Sequence, residues 1–93
     1  MPDGAGMPRA SQVTRQSGRY AAAVGDLGAR VRELREARSW TLEKAAEAMN
    51  LDLKHLQKIE AGGVNVTLVT LVRIAEGFDE PMASLFKKPR SSK

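Results

Sequence analysis

Lys54 and Lys58 stand four residues apart in NLDLKHLQKIEAG (residues 50–62), with His55 and Gln57 beside them. Helical spacing puts the two lysines one turn apart, on the side opposite Leu56 and Ile59. Ammonium and amide groups so placed can meet an anion, or the O6 and N7 edge of a guanine. The same pattern also fits an ordinary solvated face. Other chemistries find no support in the residues. His55 is the single histidine and there is no cysteine, so neither a metal set nor a Cys/His pair can be assembled. No Ser/His/Asp arrangement or cofactor motif is present, and Gly62-Gly63 lacks the lysine and flanking strand of a phosphate loop. The chain does not read as an enzyme.

The elements that must position these residues are two short helices joined by a tight turn, Thr41 to Gly62. Thr41 is an N-cap residue, and Leu42, Ala45, Ala46 and Met49 follow on one small apolar face. Asn50 stops that helix because it tolerates the left-handed conformation. Asp52 is placed to cap the next helix, with Leu56 and Ile59 inward and Gly62 closing it. Small residues on the first helix let the second cross it closely, as a helix-turn-helix requires.

Around this pair, a helix is expected over Leu27–Ala37, with Leu27, Val31 and Leu34 inside. Arg30, Arg32, Arg35 and Arg38, with Glu33 and Glu36 among them, suggest a solvated charged face. After residues 63–66, Thr67 caps a fourth helix whose inner series is Leu68, Leu71, Val72, Ala75 and Phe78, with Val69 and Ile74 beside it and Gly77 weakening its end. Pro81 starts a fifth helix with Met82, Leu85 and Phe86 on one face. Residues 1–25 read as a flexible arm, 26–87 as the folded domain and 88–93 as a basic tail. The fold class is all-α, with five short helices.

The 93 residues allow one domain, 42% hydrophobic and without disulfides, which fits a reducing cytoplasm. No apolar run approaches the roughly 20 residues of a spanning helix, so no membrane role is expected. The net charge of +4 is unevenly placed. Residues 27–86 hold 8 Lys/Arg against 9 Asp/Glu, while Lys87, Lys88, Arg90 and Lys93 lie in the last seven positions.

The ordered pieces Arg30-Val31-Arg32-Glu33-Leu34-Arg35-Glu36, Thr41, Ala46, Leu56-xx-Ile59-Glu60-x-Gly62, Leu71-xx-Ile74-Ala75 and Leu85-Phe86 resemble the lambda-repressor-like (Cro/repressor, XRE-type) helix-turn-helix family. The resemblance covers about residues 27–86. It implies double-stranded DNA as partner, with the helix from residue 52 to 61 in the major groove. Leu53, Lys54 and Lys58 then sit at base-contacting positions with His55 and Gln57 beside them, and Thr41, Leu42 and Asn65 approach phosphates. It also implies that Arg35 and Glu60 pair to tie the first helix to the recognition helix, and that the protein is a homodimer acting as a transcriptional regulator, in the repressor sense. A regulatory protein partner is a further possibility within this resemblance. A second reading uses the same fold as a protein-interaction module, an accessory or antitoxin-like subunit. The nearly neutral domain, the apolar Leu42 and Leu53, and the broad apolar band of the fourth helix favour it.

Overall fold

A computed structural model describes residues 18–90, and the expectations for the arm before Gly18 and the tail after Arg90 lie outside the described residues. Helix α1 spans Gly18–Ala37, α2 Leu42–Met49, α3 Leu53–Glu60 and α4 Leu68–Phe78; a 3-10 helix, Met82–Phe86, follows. The described residues are all helical or connecting, and among them no helix is long and apolar enough to cross a membrane.

The short helices owe their limits to side-chain chemistry. The Thr41 hydroxyl accepts from the Lys44 N–H at 3.0 Å, and the Thr67 hydroxyl from the Thr70 N–H at 3.2 Å, each satisfying a donor the helix cannot. Asn50 ends α2 at φ 55, ψ 46, and its N–H turns back to α2 carbonyls. Asp52 occupies the N-cap position of α3 with extended backbone, but its side chain makes no cap bond.

The core gathers Val31, Leu34, Ala45, Met49, Leu56, Ile59, Ile74, Phe78 and Leu85. Ala45 is fully buried, which lets α2 and α3 approach. Two glycines permit closer crossings still. A Cβ at Gly28 would overlap the carbonyl oxygens of Ile59 and Glu60, and one at Gly77 would lie 2.6 Å from Met49 Cγ. Gly77 thus serves the α2–α4 contact from inside the helix.

Four expectations need correction. Helix α1 begins at Gly18 rather than Leu27; Tyr20, Ala21, Ala22 and Ala23 sustain it, and Gly25 packs against Gly62. Along α4, Ile74 is fully buried while Leu68, Val69 and Val72 are exposed. The core lies under residues 71, 74, 75 and 78, so Leu68 runs past its edge and Val72 faces the next stripe. The last element is a 3-10 helix in which Leu85 is buried and Phe86 exposed, and Pro81 stands before it rather than at its first position.

The fourth correction concerns Arg30, Arg35 and Arg38, which are not part of a solvated face, whereas Arg32 is exposed. Arg30 donates from Nε to the Ser84 carbonyl at 2.7 Å and from Nη1 to Glu33. Arg38 reaches the Phe78 carbonyl at 2.7 Å and Glu80 at 3.1 Å. Its guanidinium lies 4.9 Å from the Phe78 ring centre and 5.9 Å from that of Trp40, and those rings stack at 5.8 Å. Arg35 donates from Nε and Nη2 to the two oxygens of Glu60, at 2.8 and 3.1 Å, and from Nη1 to the Trp40 carbonyl at 2.8 Å. The Glu60 side chain is 3% exposed. Its hydrogen bonds raise the Arg35 guanidinium above its ordinary range against the opposing effect of burial.

Arg35→Ala should destabilise the domain by about 3 kcal/mol, because it strands a buried carboxylate; an unchanged denaturation midpoint would count against that role. The Ser84 hydroxyl and Arg38 hold the Glu80 carboxyl below its ordinary value of 4.5. Its contribution is therefore full above that value and is lost as pH falls through the lower folded-state value. Glu80→Gln should flatten the decline of Tm between about pH 5 and pH 3, and a decline as steep as in the unaltered chain would refute this.

Candidate nucleic-acid interface

Helix α3 is only 8 residues long, so its outward face is small and its orientation decides what it can touch. Leu56 and Ile59 are buried, and the Arg35–Glu60 pair clamps its C-terminal end to α1. With that side inward, Lys54, Gln57 and Lys58 are exposed and His55 is half-buried. Among the described residues, neither Lys54 nor Lys58 is in an ion pair. Their ammonium groups stay available to an outside anion, whereas Arg30, Arg35 and Arg38 are spent on internal acceptors.

The remaining candidates divide by burial. Leu42 and Leu53 are half-buried and pack against the core, so each presents part of an apolar side chain outward. Thr41 is exposed at the start of α2, with its hydroxyl oxygen accepting the Lys44 N–H and its own proton available. Asn65 is exposed in the connection between α3 and α4. Arg35 and Glu60 lie behind α3 and act on its position.

Sequence reasoning misses Lys44. It is exposed in the first turn of α2, its ammonium 6.0 Å from the Trp40 ring centre, and it places another cation near Thr41. The signal for it is a lysine at the third helical position, where a capping box would carry Glu or Gln. Exposed acids lie nearby in sequence, Glu43 and Glu47 on α2 and Asp52 before α3. The interface therefore presents a few well-placed cations and amides, backed by two helix N-termini whose free N–H groups suit an anion. It does not present a broad positive field.

Comparison with known proteins agrees with this architecture. A family model described as Helix-turn-helix matches residues 31–85. The HTH-type transcriptional regulator SutR of Escherichia coli (strain K12) is 32% identical over 66 residues, covering 71% of this chain and 37% of that protein. The chain thus spans little more than a third of that relative's length. The crystal structure of the restriction-modification controller protein C.AhdI from Aeromonas hydrophila superimposes with a TM-score of 0.68 at 34% identity, covering 70% of this chain and 98% of the other. Capped short helices, close crossings, an outward α3 and these matches lead to one conclusion. The chain belongs to the lambda-repressor-like, XRE-type helix-turn-helix family of DNA-binding transcription regulators.

Proposed function

We propose that this chain is a sequence-specific transcriptional regulator that works as a dimer, each copy laying α3 in the major groove of double-stranded DNA. The observation that carries the reading is the pair of uncommitted ammonium groups, Lys54 and Lys58, on the one face of α3 that the core leaves open. Lys54 and Lys58 donate to guanine O6/N7 or to phosphate, and Gln57 suits the N6/N7 edge of adenine. Half-buried Leu53 offers a surface for a thymine methyl, and His55 adds a polar contact beside it. Thr41, the N-terminal N–H groups at Leu42, and Asn65 take phosphates on either side and so fix the register.

Dimerisation is supported by the apolar side chains the fold leaves outside. Leu68 is 68% exposed, Val69 62% and Phe86 61%, an unusual set for so small a domain. A two-fold contact through α4 presents two recognition helices to half-sites roughly one helical turn apart. The proposed sense is repression, the action that operator occupancy alone can produce. A protein-interaction module on the same fold, an accessory or antitoxin-like subunit with weak or no DNA binding, is a second reading, favoured by the same exposed residues. Salt separates the two, because binding through phosphates weakens steeply as salt rises and apolar docking hardly responds.

Lys58→Glu should abolish binding to duplexes selected from a random pool while leaving the circular dichroism spectrum and Tm near those of the unaltered chain. Retained binding would remove Lys58 from the interface. Val69→Glu should shift the mass in sedimentation equilibrium from dimer to monomer and make DNA binding depend more steeply on protein concentration. A mass that is monomeric before the change, or dimeric after it, would remove α4 from the contact.

A further inference from the structure

Asn65 lies at the edge of a cleft of about 410 Å³ between the N-terminal half of α1, the α3–α4 connection and the 3-10 helix. Buried Leu27 and Leu85 and half-buried Val24 and Leu71 make its apolar floor. Exposed Asn65, Lys87 and Lys88 stand on its rim, together with one acid, Asp26.

The segment bearing the two lysines is anchored. Pro89 is buried, and the Arg90 N–H donates to Glu33 Oε2 at 2.7 Å. Glu33 Oε1 accepts from Arg30 Nη1 at 2.7 Å, so this carboxylate is itself held on α1. Lys87 and Lys88 precede this anchor and, among the described residues, form no ion pair. The chain therefore pairs Arg30, Arg35 and Arg38 internally and keeps two adjacent ammonium groups unpaired on the cleft that Asn65 also lines. Adjacent like charges repel, and an external polyanion relieves that repulsion.

We propose that Lys87 and Lys88 are a second phosphate-binding site, which extends the backbone contacts made at Asn65 along the same DNA strand. This inference rests on the DNA-binding reading above. A duplex presents one phosphate per strand about every 3.4 Å of axis, so a strand touching Asn65 carries further phosphates across the cleft. Lysine suits this role because its ammonium is a point charge on a flexible stem that holds a phosphate without reading sequence. The site would add affinity and register while leaving base preference to α3.

The test measures binding of the full chain to a duplex selected from a random pool, by fluorescence anisotropy across a salt series. The double substitution Lys87→Gln, Lys88→Gln should lower the slope of log K against log salt by about 1.8 per chain, roughly 0.9 for each phosphate no longer neutralised. The selected base preference should stay the same, and Lys87→Arg, Lys88→Arg should restore the slope. An unchanged slope overturns the proposal and assigns the cleft to an uncharged occupant or to none. An altered base preference overturns it in favour of direct readout. If the unaltered chain binds no DNA at low salt, the DNA-binding reading falls with it. If Lys58→Glu abolishes binding while the Gln pair leaves the slope intact, only this second site falls.

Discussion

The structure depends first on the carboxylate of Glu60, at the last residue of α3. Nearly sealed from water, it accepts two bonds from Arg35 and a longer one, 3.5 Å, from Arg32. Burying an ion pair is costly, and an apolar pair of similar volume often gives equal stability. What an apolar pair lacks is direction. The planar guanidinium meets the two carboxylate oxygens in one orientation, and its third nitrogen group also holds the Trp40 carbonyl ahead of α2. One side chain on α1 therefore sets where α2 begins and how α3 is turned.

The same device recurs with weaker members. Arg38 fastens the end of α1 to the end of α4 through the Phe78 carbonyl, and its charge rests over the stacked rings of Trp40 and Phe78. Arg30 reaches the Ser84 carbonyl in the 3-10 helix. Helix α1 is thus a spine whose arginines lock the later elements around it, while Gly28 and the alanines of α2 bring backbones close enough for those locks to engage. The arrangement withdraws Arg30, Arg35 and Arg38 from the outside, which gives the exposed lysines a larger share of the outward positive charge.

Much of this is legible in the residues. Thr41, Asn50 and Thr67 mark helix ends by local chemistry, and local chemistry is what a sequence displays. The all-α class and the helix-turn-helix follow from spacing, and the family resemblance points to Arg35 and Glu60 together. The start of α1 is not legible, because Gly18 and Gly25 look like coil until Gly62 is seen packed against Gly25. The arginines mislead for the same kind of reason. Glu33 and Glu36 are their neighbours in sequence, yet decisive acceptors lie 25 residues away at Glu60, 40 at Phe78 and 54 at Ser84. The inner face of α4 is hard to read because apolar residues surround most of that helix, and only the position of the core separates Ile74 from Val72. The exposure of the residues at the candidate interface follows from the orientation of α3.

Among the described residues, three turns place residues other than glycine in the left-handed region: Ser39 at φ 57, Asn50 at φ 55 and Asp79 at φ 57. None of these turns is as readily adopted as it would be with glycine, and the 8-residue helices beside them are too short to persist alone in water. Each connection is held in shape by the packing of the helices it joins. Helices this interdependent fit the cooperative, all-or-none unfolding usual for small single domains. The outward face of α3 therefore keeps its geometry whole or loses it whole.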